Sequence, residues 1–241
     1  MSDHGSRIAR AYPDRVEVRG RDLTGDLMGR LSFTEYFHLL LTGEEATEEQ
    51  RYFLDLLLVS IAEHGLMPSN VAARMTLAAD PGSLQGAVAA GILGAGPVVL
   101  GASEECVRLL ADGEEPLELA RRIHAAGGKV PGFGHPLHRP VDPRAERILE
   151  LADARGVSGR NVARARSLRD AVAEVWGKPL PMNVAMPIAA VLLDLGFPAS
   201  AVKAVPILAR TAGLLAHLAE EREQPLGLLL ARAAEEAAER E

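Results

Sequence analysis

Apolar residues recur at helical spacing through nearly every long segment of this chain, and that repeat predicts an all-α fold. Phe53, Leu54, Leu57, Leu58 and Ile61 make an i, i+3, i+4 stripe within residues 46–63. Leu39, Leu40 and Leu41 before Thr42-Gly43 predict a short helix closed by a C-terminal glycine. Pro68 opens another helix at its favoured first-turn position. Further helices are predicted over 103–110 and over 116–126, the second stopped by Gly127-Gly128. Asp142-Pro143 is a cap-then-proline start. Helices over 157–176, 184–195, 199–221 and 225–239 complete the chain, with 184–195 and 199–221 apolar enough to be central. Strand signals are weak: β-branched alternation is confined to 16–18.

With 241 residues, 48% of them hydrophobic, the chain can bury a substantial core. The middle, 103–182, is more charged than its Gly-, Ala- and Leu-rich flanks. That shift predicts a small helical domain over 103–182 inserted into a large one built from 1–102 and 183–241. The formal charge of -7, without a basic run, argues against a nucleic-acid partner. A single cysteine, Cys106, excludes a disulfide framework and fits a reducing cytoplasm. The first ten residues lack the apolar core of a signal peptide. Residues 81–103 carry no charge and would be long enough to cross a bilayer, but six glycines and Pro97 interrupt them. The reading adopted is Gly/Ala-rich helices packed inside a soluble protein or across a subunit interface, with no membrane.

The segment richest in chemistry is Lys129-Val-Pro-Gly-Phe-Gly-His135-Pro-Leu-His138-Arg139-Pro-Val-Asp142-Pro-Arg144. Gly132 and Gly134 let the backbone approach a ligand with positive φ. His135 is of the side-chain type that exchanges protons near neutral pH. Arg144, in the first turn after the cap, can grip a carboxylate with two parallel hydrogen bonds. A surface loop leading into a capped helix is the plainer alternative.

This segment resembles the signature of the citrate synthase family, where Gly-Phe/Tyr-Gly-His precedes a basic residue and Asp-Pro-Arg. Other blocks extend the resemblance from Arg19 to Pro225. They are Arg19-Gly20-Arg21-Asp22-Leu23, Ser32-Phe33-Thr34-Glu35, Glu63-His64-Gly65, Gly96-Pro97, Asn183-Val184 and Ala209-Arg210-Thr211-Ala212-Gly213. The compact length and the Gly-His-Pro-Leu-His form resemble small bacterial chains of the citryl-CoA lyase type. The resemblance implies a citrate-synthase-like fold, with a large and a small helical domain and the active site between them. It also implies a homodimer or a higher oligomer. His64, His135, Arg144 and Arg210 match the family's keto-acid or citrate ligands. His135 would be catalytic, taking the proton of the tertiary hydroxyl in cleavage. Arg139 matches a basic position that holds CoA phosphates, and Gly132, Phe133 and Gly134 would line the CoA side.

Two family side chains are missing. Where a histidine would stabilise the thioester enolate stands Val99, and where an aspartate would move a proton at the α-carbon stands Ala185. General acid–base help is worth about 10²–10⁴-fold. A further arginine position falls at Gln224. Asn183 could substitute as an amide donor to the enolate, and His138 could substitute as an acid or base.

Two functions follow. One is a lyase or acyltransferase that breaks or makes a carbon–carbon bond between an oxaloacetate-like keto acid and acetyl-CoA, with the CoA thioester as substrate and no permanently bound cofactor. The other is a catalytically impaired homologue that binds a carboxylate or a CoA ester as a sensor or partner subunit. The histidines do not fall into ligand spacing along the sequence, so no metal is expected.

Overall fold

The structure, a computed structural model, describes residues 5–239, with the backbone alone at 97–99. A small antiparallel meander opens it: β1 (Ala9–Ala11), β2 (Val16–Val18) and β3 (Arg21–Asp22), in that order. β2 is the segment with the weak alternation signal. β1 carries none, and exists because its backbone pairs with β2, Ala9 against Val18 and Ala11 against Val16.

The rest is helical, as expected. α1 (Phe33–Thr42) starts on a reciprocal Ser32–Glu35 cap and ends at Gly43 with φ 85°. α2 (Glu48–Ala62) starts on the equivalent Thr47–Gln50 pair. α3 (Pro68–Ala79) begins at the expected proline. α4 (Leu84–Val99) is broken at Gly96, whose φ of 51° no helix interior holds. Then come α5 (Ala102–Ala111), α6 (Pro116–Ala125), α7 (Pro143–Ala154) and α8 (Arg160–Trp176). α9 (Ala185–Asp194), α10 (Ala204–Glu223) and α11 (Gly227–Ala238) close the described chain.

The main apolar cluster gathers Phe53, Leu57, Cys106, Leu119, Ile148, Leu168, Ile188 and Leu192 around α9, whose residues Ala185 to Leu192 are all buried. A second cluster joins α3, α4 and α10 through Ala73, Leu77, Ala87, Leu214 and Leu218. A third ties the meander to α1 through Val18, Leu27 and Leu39. The main cluster mixes residues of 103–182 with residues of both flanks, so the apolar clusters do not themselves mark boundaries at 102 and 182.

Residues Ala199–Glu223, which contain α10, are long and apolar enough to span a bilayer by composition. Yet the helix carries buried Arg210 and Glu221, and packs on α2, α3 and α4. Bare lipid would leave those charges unsolvated, so the geometry is that of a core helix. Glu221 receives 2.8 Å from Arg74 of α3, a guanidinium with no solvent exposure.

Candidate active site

The glycine loop is fastened at both ends. Gly132 has φ 81°, and a Cβ there would sit 2.8 Å from Cys106 Sγ and from Met186 Cε. Only glycine lets the loop lie this close over α5 and α9. Asn183 N donates to Gly132 O at 2.8 Å, and Gly134 N donates to Pro181 O at 2.7 Å. The Asn183 amide donates to Gly134 O at 3.1 Å, so this side chain braces the loop with one of its two N–H groups.

His135 is fixed by its own loop. Its Nδ1 accepts from Leu137 N at 3.1 Å and from His138 N at 3.0 Å. A neutral imidazole with Nδ1 as acceptor carries its proton on Nε2. Burial first, then the neighbouring His138 and Arg144, hold His135 below the ordinary histidine range, with Asp142 opposing. His135 is therefore a neutral Nε2–H donor. This corrects its expected role: it can polarise an oxygen, but it cannot take a hydroxyl proton.

His64 follows the end of α2. Its backbone N–H donates to Glu63 Oε1 at 2.8 Å, and Glu63 in turn accepts from His217 of α10 at 3.0 Å. Burial chiefly, then Arg144, lowers its pKa. Its Nε2 lies 3.0 Å from Nε2 of His138, so one proton is shared between the two rings. His138 is thus a partner of a ligand-matching residue, and not a solvated loop histidine.

His64, His135 and His138 each offer a nitrogen within 4.8 Å of the others, a grouping the sequence spacing hid. The donor set does not suit a metal. His135 has one nitrogen occupied by two backbone donors and a proton on the other, so it has no lone pair to give.

The two arginines differ. Asp142 caps α7 and holds Arg144 by its Nε at 3.0 Å and its Nη2 at 2.8 Å. One paired edge, Nε with Nη2, is thereby taken, and Arg144 still offers both Nη1 N–H groups and the second N–H of Nη2. Arg210, 3% exposed, has Nε and Nη1 without a partner. Burial pulls its guanidinium down, and the Glu63 carboxylate opposes. Leaving buried charged donors unpaired is costly. An incoming carboxylate would relieve that cost.

These groups meet in one cavity of about 700 Å³, a volume within the range for small-molecule sites. His64, His135, Arg144, Arg210, Asn183 and the Gly132–Phe133–Gly134 stretch line it, and so does Ala185. His138 touches His64 but is not among the lining residues. Arg139 is exposed and is not among the lining residues, so the geometry does not bring it to the cavity. Lys129 and Trp176 do line it and had not been singled out. The signals available were a lysine opening the motif loop and the lone tryptophan of the chain. The side chain of Val99 lies outside the described residues.

A model of the citrate synthase C-terminal domain matches residues 8–232. The chain belongs to the citrate synthase family. Citrate synthase of Haloferax volcanii is 29% identical over 201 residues, which are 80% of this chain and 52% of that protein. Putative citrate synthase 2 of Mycobacterium tuberculosis is 32% identical over 178 residues, 70% of this chain and 47% of that one. This citrate synthase family chain thus spans about half the length of the curated relatives it matches. Citryl-CoA lyase of Hydrogenobacter thermophilus superposes with a TM-score of 0.84 at 31% identity, covering 91% of this chain and 87% of that one. Citrate synthase of Thermotoga maritima superposes at 0.70 with 25% identity, over 80% of this chain and 55% of that one.

Proposed function

We propose that this chain cleaves citryl-CoA, or a near 3-hydroxyacyl-CoA carrying carboxylates, into an oxaloacetate-like keto acid and acetyl-CoA. The CoA thioester is substrate, and no resident cofactor is required. The observation that carries the reading is Arg210: a buried guanidinium with two unpartnered nitrogens, in a cavity that also holds the His135 donor. Arg210 receives one carboxylate, and Arg144, already neutralised by Asp142, assists through its remaining Nη1 and Nη2 N–H groups. His135 Nε2–H donates to the oxygen on the reacting carbon, where charge grows as the hydroxyl loses its proton. Lys129 and Trp176 border the same cavity, a cation and an apolar plate suited to the CoA side. The similarity to the Hydrogenobacter lyase, over most of both chains, supports cleavage over synthesis. Cleavage also asks less of the missing aspartate, because no stable C–H bond has to be deprotonated. Assembly as a homodimer belongs to the proposal, supported by Leu93, Leu215, Leu228 and Leu229, which stand exposed on α4, α10 and α11.

Ala185 in the cavity wall favours one second reading, a homologue that binds a carboxylate or CoA ester without turnover. Incubation with citryl-CoA separates the two. The proposal predicts release of oxaloacetate and acetyl-CoA, reduced about 10²–10³-fold in His135→Ala, as for loss of one oxyanion donor. Saturable citrate binding without release would establish the second reading instead.

A further inference from the structure

Cleavage of a tertiary alcohol requires somewhere for its proton to go, and the cavity narrows the choice. His135 has no open lone pair, because Nδ1 accepts two backbone donors and Nε2 holds the proton. Arg144, Arg210 and Lys129 are cations. Ala185 has no polar atom, and the Asn183 amide is not a base. What remains is the imidazole pair His64–His138, joined Nε2 to Nε2 at 3.0 Å. Two neutral rings carry two N–H groups and two lone pairs. One of each is used in their contact, so the pair keeps one lone pair to accept a proton.

Resting on the cleavage reading above, we propose that the pair takes the hydroxyl proton as a relay: the proton enters at the other ring nitrogen of His64, which lines the cavity, while the His64 Nε2–H proton passes to Nε2 of His138, the acting general base. The O–H bond breaks as that proton moves to the imidazole pair. The oxygen's electrons form the keto C=O, and the C–C bonding pair leaves into the thioester as its enolate. The enolate carbon takes a proton from water, and the pair returns its proton to the resulting hydroxide. One proton has then moved from oxygen to carbon, with no oxidant or metal needed.

The surroundings fit a pair that charges transiently. Burial first, then Arg144, disfavours a standing charge on His64, and Asp142 at the start of α7 favours one, so the charge is only passing. Arg210 faces His64 from α10 and also disfavours that charge. Glu63 accepts the His64 backbone N–H and pins its position. The His135 ring lies 4.3 Å from that of His138, centroid to centroid, so the oxygen donor and the base are adjacent.

The test is steady-state citryl-CoA cleavage by the full chain and by His138→Ala and His138→Gln, with thermal midpoints of all three as a folding control. Both substitutions should lower kcat by about 10²–10⁴-fold, the usual worth of a general base, while KM moves only a few-fold. Added imidazole should restore a rate that rises with its concentration in His138→Ala. It should not do so in His138→Gln, where the amide can still hydrogen-bond His64 and fills the space. Wild-type cleavage with either variant within threefold of it would overturn the assignment and leave the cleavage reading standing. No cleavage by the wild type at all would strike the cleavage reading itself, and this assignment with it.

Discussion

Asp142 shows how one residue can serve both fold and site. Its carboxylate caps α7 through Arg144 N, grips the Arg144 guanidinium, and accepts Val184 N at 3.2 Å ahead of α9. Burial pushes its pKa up, but the bonds from Arg144 outweigh that and hold it below the ordinary carboxylate range. A folded-state pKa below the unfolded one stabilises the fold above the unfolded value, about 3.9, and that gain is lost as pH falls through the folded value. Asp142→Asn should therefore cost about 1–3 kcal/mol at pH 7 in urea unfolding. The gap to wild type should close as pH drops below about 4. A gap independent of pH would mean that the ionised carboxylate contributes nothing. At this scale the sequence was partly legible. The Asp142-Pro143 start and the glycine loop could be read directly, because caps and positive-φ glycines are local. The direction of Arg144's paired edge, the brace made by Asn183 and the tautomer of His135 could not, because each depends on atoms that only folding brings near.

Among the elements, the helices were the most legible, since apolar periodicity is a property of consecutive residues. Gly43, Pro68 and Trp176 fall at the expected ends. Partners far along the chain were hidden. The start of α8 has no cap of its own: Gly159 N, Asn161 N and Val162 N donate to the carboxylate of Asp194, at the end of α9. A glycine at the N-cap position gives no sign of that. Asp194→Ala should leave those donors unsatisfied and cost about 1–2 kcal/mol in urea unfolding. A loss below a few tenths would show that water replaces the carboxylate without penalty. The strand β1 was missed for a related reason: its three residues have no strand pattern, and pairing with β2 alone defines it.

Across the whole molecule, one cavity collects groups from the end of α2, the glycine loop, α7, α9 and α10. The family resemblance of separate sequence blocks is explained by that convergence, for His64, His135, Arg144 and Arg210 line one cavity although they span much of the chain. The His64–His138 contact joins residues 74 apart in sequence, which is why no spacing rule exposed it. Under the proposed function, this cavity receives a carboxylate at Arg210. Calorimetric titration with citrate tests it without any need for turnover. The wild type should bind saturably, and Arg210→Gln should weaken binding at least about tenfold, as expected when a charged hydrogen bond worth about 1.5–3 kcal/mol is lost. Equal affinity in the two proteins, with both folded, would contradict it.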